Sequence, residues 1–316
     1  MPETAPDPVV SIIVVSYNTR EMTLDCLRSV AAETTIPYEL IVVDNASRDG
    51  SAEAIAAAHP EVRLIASDEN LGFGRANNRA AREARGEYVL LLNSDTVTLD
   101  GAIDKLVAFA RSMPEAKMWG GRTIFPDGRL NPQSCWELPS LWNITCRTLG
   151  LNALFPKSPL FHSECYPDWE RDSVREVDMI VGCFLMVTRD FYEELGGFDE
   201  ALFMYGDDVD LCIRARKLGA RPHITPEATI IHYSGSSDRV RAERMVKIMS
   251  AKVSVIQRHF TGLRKPLALG ALRMWPFTRM GAWSLLAAVT RSPRFRAGRD
   301  SWTEIWRRRE LWWNGY

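Results

Sequence analysis

Asp207-Asp208-Val209-Asp210 sets three carboxylates within four positions at the opening of a strongly helical stretch. One Asp would be enough to cap that helix and complement its dipole. Adjacent carboxylates at Asp207 and Asp208 repel one another, which pushes one pKa up toward the range a general base needs. Gly206 ahead of the pair lets another backbone come close. A second constellation is Asn93-Ser94-Asp95-Thr96, which follows the apolar run Tyr88-Val89-Leu90-Leu91-Leu92 without a break. An Asn-x-Asp at that place can hold a hard cation against a phosphate; the same residue types also suit a turn that leads into the next helix. His232 is the third candidate, ending Ala228-Thr229-Ile230-Ile231 and preceding Tyr233-Ser234-Gly235. It is either a structural residue or a partner for Asp95 around a cation.

Those residues need elements that bring them together. Val10 to Ser16 reads as a buried strand, and Asn18 or Thr19 caps a helix through about Ala32, with Met22, Leu24, Leu27 and Val30 on its apolar stripe. Leu40-Ile41-Val42-Val43 is a second strand ending in Asp44-Asn45. Ser51 to Ala58 is an Ala-rich helix, Val62 to Ala66 a third strand, Gly74 to Arg85 a third helix, and Glu87 to Leu92 a fourth strand. Asp100 is expected to cap a helix to about Ser112. Strand and helix thus alternate roughly every 20 to 25 residues, the mark of βαβ units on a parallel sheet. The polar strand ends Ser16-Tyr17-Asn18, Asp44-Asn45, Ser67-Asp68-Glu69-Asn70 and Asn93-Ser94-Asp95 then gather along one edge, where open α/β sheets bind ligands.

Beyond Met113 the alternation stops. Gly120-Gly121-Arg122 and Pro126-Asp127-Gly128 mark turns. Asn131 to Arg175 is rich in Pro, Trp and other aromatic residues without a clear period, and reads as a long functional loop or lid with room for short helices. Val177 to Thr188 is expected to be one strand and Arg189 to Leu195 a helix closed by Gly196-Gly197. Asp207 to Leu218 is a helix, acidic at its start and basic at its end, and Arg221 to His232 holds the last strand.

The 316 residues suffice for one large α/β domain or two smaller ones, and 46% hydrophobic residues supply an ordinary core. Net charge is -1 but unevenly placed: Arg239 to Tyr316 holds 17 Lys/Arg against 4 Asp/Glu, and six of the ten Trp. Such a segment is either a helical subdomain packed on a core with its arginines solvated, or one that lies on an anionic membrane surface with Trp and Leu at the headgroup level. Nucleic acid is not expected, because no reader motif accompanies the charge. Six scattered Cys without a Cys-x-x-Cys pair argue against a metal knuckle or disulfide framework and for a reducing compartment. Met1 to Pro8 is Pro-rich and acidic, unlike a secretion signal, and Arg273, Pro276 and Arg279 interrupt the longest apolar run, Pro266 to Val289. The expected location is cytoplasmic, peripheral at the inner face of the cell membrane.

Several function classes drop out. Gly72-Phe73-Gly74 lacks the third Gly of a dinucleotide fingerprint and does not follow the first strand. There is no Walker lysine motif for an ATP-driven kinase and no Gly-x-Ser-x-Gly elbow for a hydrolase of that kind.

The remaining motifs resemble a known family. Ser11-Ile12-Ile13-Val14-Val15-Ser16-Tyr17-Asn18 and Val42-Val43-Asp44-Asn45-Ala46-Ser47-Arg48-Asp49-Gly50-Ser51 look like the opening of the inverting family-2 glycosyltransferases. Glu69-Asn70-Leu71-Gly72-Phe73-Gly74-Arg75-Ala76-Asn77-Asn78, Leu92-Asn93-Ser94-Asp95, Gly182-Cys183-Phe184-Leu185-Met186 and Phe203-Met204-Tyr205-Gly206-Asp207-Asp208-Val209-Asp210-Leu211 follow in the family's order. The resemblance runs from about Val9 to Ser236 and leaves the C-terminal region outside. Pro126-Asp127-Gly128, Ser134-Cys135, Pro139-Ser140 and the wording of Asp207 to Arg214 look most like the bacterial rhamnosyltransferase-like branch.

The resemblance implies an α/β, nucleotide-diphospho-sugar transferase (GT-A-like) fold with a mostly parallel central sheet and a helical, basic C-terminal region. Residues 1–8 would be a flexible leader, 9–238 the catalytic domain (nucleotide-binding half about 9–112, acceptor half about 113–238), and 239–316 a basic Trp-rich region, associated with membrane or packed on the core. Asp44 would accept the ring N–H of a pyrimidine, with Ser16 and Asn18 near base and ribose. Asn70, Arg75, Asn93 and Ser94 would complete the donor site. Asp95, with His232, would hold Mg²⁺ or Mn²⁺ against the diphosphate; Asn93 stands where the family's first Asp is usual, which weakens metal affinity. Asp208 would be the catalytic base and Asp207 would orient it or the acceptor. The donor would be a dTDP- or UDP-sugar, best rhamnose, and the acceptor a hydroxyl of a cell-surface polysaccharide or lipid-linked saccharide. An oligomer is compatible with the sequence. Two rivals remain: a non-catalytic sugar-nucleotide-binding or scaffold protein, which has no need of the Asp207-Asp208 pair, and a nucleotidyltransferase, whose basic Gly-rich loop Ser16 to Arg20 does not supply.

Overall fold

A computed structural model of the protein describes residues 7–234 and 241–316. Residues 1–6 of the expected leader and the expected junction at 238 and 239 lie outside the described residues. The chain separates into two compact units. One takes the described residues of Met1–Trp136, Glu170–Phe203 and Asp207–Ser237; the other takes those of Glu137–Trp169, Met204–Gly206 and Asp238–Tyr316.

The strands, all in the first unit, are β1 (Val10–Ser16), β2 (Tyr38–Asp44), β3 (Arg63–Ala66), β4 (Tyr88–Asn93), β5 (Thr96–Thr98), β6 (Met118–Ile124), β7 (Cys135–Trp136), β8 (Arg175–Glu176), β9 (Met179–Ile180), β10 (Phe184–Thr188) and β11 (His223–His232). The first unit also carries helices α1 (Arg20–Glu33), α2 (Ser51–Ala58), α3 (Phe73–Ala81) and α4 (Ala102–Ser112). Helices α5 (Leu141–Leu149) and α6 (Leu151–Leu154) belong to the second unit, α7 (Arg189–Glu194) and α8 (Asp207–Lys217) to the first, and α9 (Arg241–His259), α10 (Arg264–Thr290) and α11 (Pro293–Arg307) to the second.

The main sheet runs β3-β2-β1-β4-β10-β6-β11-β5, with β8 beside β11. Its first four strands are parallel, as the alternation of strand and helix requires. Strand β10 enters antiparallel between β4 and β6, β11 runs parallel to β6, and β5 turns back antiparallel to β11. The carboxyl ends of β1, β2, β4 and β11 and the amino ends of β10 and β5 therefore share one edge. Ile12, Val14, Val42, Leu90 and Leu92 are buried with Leu24, Leu27 and Val30 of α1 and Ile103, Leu106 and Val107 of α4. Each such side chain contributes about 1.5–3 kcal/mol by leaving water, so the strands that carry the site's residues are among the most firmly held.

Four local expectations change, the first at Gly120-Gly121-Arg122, which lies inside β6 and pairs with β10 and β11 instead of marking a turn. The strand expected over Val177 to Thr188 is broken: β9 pairs with β7 in a separate two-stranded sheet, and β10 begins only at Phe184. Helix α3 stops at Ala81 rather than Arg85, because tighter bonds from Glu83 and Ala84 to Ala80 and Ala81 bring Gly86 onto the β1 backbone, where an added Cβ would stand 2.6 Å from the Ser11 nitrogen. Asp100 does not cap α4; Gly101, at φ 66°, occupies that position.

In the second unit α5 is a true helix within the expected loop. The Ser140 hydroxyl accepts from the Asn143 amide, the Asn143 side chain accepts from the Ser140 amide, and Gly150 ends the helix at φ 83°. The unit's core gathers Ile144, Met249, Val253, Leu272, Trp275, Trp302, Ile305 and Trp312. Glu164 is clamped between Arg147 and Lys252; burial opposes its charge, but the two cations prevail and set its pKa near about 2. Among the described residues no helix is long and apolar enough to cross a membrane.

Candidate active site

The shared sheet edge collects the acidic residues picked out in the sequence. Asp95 follows β4 directly, and β5 starts one residue later at Thr96. Thr96 is the register partner of His232 at the end of β11, which places the imidazole against Asp95 with Nε2 3.3 Å from Oδ1. Both side chains are buried. Asn131, fully buried, donates to the His232 carbonyl at 3.1 Å and so fixes that strand end. Burial works against a charged imidazole, yet the Cys183 sulfur and the Asp95 carboxylate outweigh it and hold the His232 pKa up at about 10. The ring's Nδ1 makes no hydrogen bond within geometric limits among the described residues, so the Asp95 contact is the better-defined of the two.

Asp208 reaches the same edge through β10. The antiparallel register puts Phe184 opposite Leu92, and the Asn93 amide donates to the Cys183 carbonyl at 3.2 Å. Gly182 therefore sits beside the end of β4, and a Cβ on it would stand 2.7 Å from Asp208 Oδ1 and 2.9 Å from the Phe73 ring. That Oδ1 is shut off from solvent and makes no hydrogen bond within geometric limits among the described residues, although the Gly182 backbone lies against it. Burial, then the neighbouring Asp207 charge, raise the Asp208 pKa well above the usual carboxylate range; the Gly182 backbone amide offsets part of the rise. Asp207 is buried, and its Oδ1 accepts from the Asp208 amide at 3.3 Å. The third acid has a separate task. Asp210 pairs with Arg214 at 2.7 Å, and Arg214 donates onward to the carbonyls of Leu195 and Gly197, tying down the turn after α7.

At the other end of the edge, Asp44 Oδ2 accepts from the Ser47 amide at 3.1 Å, while Oδ1 is buried with no partner among the described residues. An acceptor so placed costs stability unless something donates to it. Asn18 (φ 53°) braces the loop beside it: its amide donates to the Ser47 hydroxyl and its side-chain oxygen accepts from the Arg48 amide. The Ser16 hydroxyl is spent on Thr23 at 2.9 Å, within a buried chain of hydroxyls that reaches Ser94 through Thr19 at 3.1 Å. Asn70 folds its own loop, accepting from the Gly72 amide and from the Asn45 side chain. Arg75 is half-exposed, 3.8 Å from Glu200. Asn93 contributes its backbone, whose carbonyl accepts from the Thr96 hydroxyl at 2.7 Å.

Sequence reasoning gave no role to Gly182, Phe73, Asn45 or Asn131. The first two lay inside quoted motifs, so the signal was present, but only the fold shows that they confine Asp208. Replacing Gly182 by Ala is expected to displace Asp208 or Phe73 and lower turnover by about tenfold or more with little effect on nucleotide affinity. Steady-state kinetics beside a nucleotide titration measures this; unchanged turnover would remove Gly182 from the site.

Known proteins resemble this chain in sequence and in fold. The family model described as Glycosyl transferase family 2 matches residues 11–166. An N-acetylglucosaminyl-diphospho-decaprenol L-rhamnosyltransferase of Mycobacterium tuberculosis is 30% identical over 272 residues, covering 82% of this chain and 88% of the relative. The rhamnosyltransferase WbbL of Escherichia coli is 29% identical over 244 residues, covering 73% of this chain and 86% of the relative. Among solved structures, the mannosyltransferase PcManGT from Pyrobaculum calidifontis, in complex with GDP-Man and Mn²⁺, shares the fold at TM-score 0.59 and 19% identity, covering 97% of this chain and 88% of its own. The chain is a glycosyltransferase that belongs to glycosyl transferase family 2.

Proposed function

We propose that this glycosyltransferase moves rhamnose from a dTDP- or UDP-sugar to a hydroxyl of a lipid-linked saccharide precursor of a cell-surface polysaccharide, with inversion, at the cytoplasmic face of the membrane. The observation that carries the chemistry is Asp208: a buried oxygen that makes no hydrogen bond within geometric limits among the described residues, beside a second carboxylate, on the edge that also bears Asp44 and Asp95. The choice of sugar and of a lipid-linked acceptor is supported by the names of the two relatives.

The unused Asp44 Oδ1 is an acceptor aligned by the Ser47 amide, which suits the ring N–H of uracil or thymine; cytosine has no proton at that nitrogen. Asp208 takes the proton of the acceptor hydroxyl while that oxygen attacks the anomeric carbon from the face opposite the diphosphate. The carbon–oxygen bond to the diphosphate breaks with its electron pair, and the configuration inverts through a transition state of oxocarbenium character. Asp207 holds the base through the Asp208 amide and raises its proton affinity by like charge.

No group of three or more His, Cys, Asp or Glu that could hold a metal occurs among the described residues. One carboxylate and one imidazole fit an ion that takes its remaining ligands from the donor's phosphates, with imidazole favouring Mn²⁺ over Mg²⁺. Such an ion, held by Asp95 and His232, would supply charge neutralisation at the departing diphosphate. A thermal-shift screen of dTDP- and UDP-sugars with Mn²⁺, followed by chromatography of products on a polyprenyl-linked saccharide, tests the reading. Stabilisation by dTDP-rhamnose with a rhamnosylated product is expected. Stabilisation by purine nucleotides alone would overturn the Asp44 assignment, and transfer of another sugar would overturn rhamnose.

A further inference from the structure

Helix α10 carries an apolar face that its own unit leaves largely exposed, with only Phe277 partly covered, by the Trp306 ring. From Leu263 at its N-cap, Leu267, Met274, Phe277 and Leu285 follow at spacings that keep them on one side, and all are exposed, from 39% at Phe277 to 81% at Leu263. The positions between them on that side are Gly270, Gly281 and Ala288, also exposed, so no polar residue interrupts the stripe. The opposite side is equally apolar: Ala268, Leu272, Trp275 and Ala287 are buried in the unit's core. A helix that is apolar on both sides needs a second apolar medium. At 1.5 Å per residue, the stripe from Leu263 to Leu285 runs over about 33 Å, far more than an isolated surface leucine.

Charge identifies the medium. Between Glu243 and Asp300 the chain has twelve Lys/Arg and no acid. Exposed cations mark both ends of the stripe, Arg264 at one and Arg291, Arg294 and Arg296 at the other. A second copy of this helix would bring like charges together, whereas an anionic bilayer surface neutralises them. Three of the region's tryptophans are not available as anchors, since Trp275, Trp302 and Trp312 are buried, with Trp275 against Trp302 and Trp312 edge-on to Trp306.

We propose that α10 lies in the plane of an anionic membrane, with the Leu263–Leu285 stripe at the headgroup–acyl boundary and the arginines at its ends on lipid phosphates. In its purpose this rests on the lipid-linked acceptor proposed above, but the test needs neither donor nor acceptor. The full chain is sedimented with phosphatidylcholine vesicles with and without phosphatidylglycerol. Binding is expected only with phosphatidylglycerol, and it should weaken with salt. Leu267→Glu/Leu285→Glu should lose about tenfold or more of the affinity without a change in melting temperature. Leu263→Glu, at the most exposed position, gives a second reading of the same face. Arg291→Gln/Arg294→Gln/Arg296→Gln should lose the preference for anionic lipid. Absence of wild-type binding, or leucine variants that bind as well as wild type, would overturn the proposal. So would a wild-type dimer in sedimentation velocity that the leucine variants make monomeric without any vesicle binding, because the stripe would then belong to a second copy.

Discussion

Asp208→Asn is expected to lower transfer by about a thousandfold, within the range general-base catalysis contributes, while donor binding stays within about twofold, because in the proposed mechanism Asp208 acts on the acceptor hydroxyl and not on the donor. Stability gives an independent reading. Burial and Asp207 raise the Asp208 pKa in the folded protein, so the protonated form is the comfortable one. A carboxyl with a raised folded pKa contributes stability at low pH and loses it as pH rises through that value. The amide of Asn removes the charge and the repulsion with Asp207, so the variant should melt at the same temperature as wild type in acid and at a higher one near neutral pH. The acid limb of the wild-type turnover profile should likewise lie above the ordinary Asp range. A variant with near-normal turnover would end the base assignment; a variant that loses donor binding in parallel would make Asp208 a donor-site residue.

Much of this architecture was legible from residues alone, and the reasons are local. The β1, β2 and β4 runs are mostly apolar on both faces and end in polar residues, so their parallel pairing and shared edge follow from composition. The acidic start of α8 was visible as a capping signal in excess of need. What could not be read was the antiparallel insertion of β10 beside β4, since nothing in Phe184-Leu185-Met186-Val187-Thr188 encodes its partner. That insertion is what brings Gly182 and Asp208 to the edge. The roles of Ser16 and Asn70 also depend on partners distant in sequence: Ser16 on Thr23 and the hydroxyl chain to Ser94, Asn70 on Asn45. Side chains of these types suit a ligand or a scaffold equally, and only placement decides.

Asp95→Ala is expected to weaken donor binding by about tenfold or more when Mn²⁺ is present and by little in chelator. The reason is the single carboxylate: Asn93 adds no charge, so removing Asp95 leaves the ion only an imidazole and the donor's own phosphates. His232 adds a pH dependence whose sign is fixed. With a folded pKa of about 10 against the ordinary 6.5, the imidazole carries a proton at neutral pH. The stability of its contacts with Cys183 and Asp95 is present in full below the unfolded pKa and is lost as pH rises through about 10. An imidazolium has no lone pair for a metal, so metal binding at this site releases that proton. Mn²⁺ affinity should therefore climb with pH, by up to about tenfold per unit, and His232→Gln should flatten the climb while leaving the Asp95 effect. Titration of Mn²⁺ into the UDP complex across neutral to mildly alkaline pH measures it. A flat profile in wild type would mean that His232 keeps its proton and serves the diphosphate directly as a cation; equal weakening by Asp95→Ala with and without chelator would remove the metal from this edge altogether.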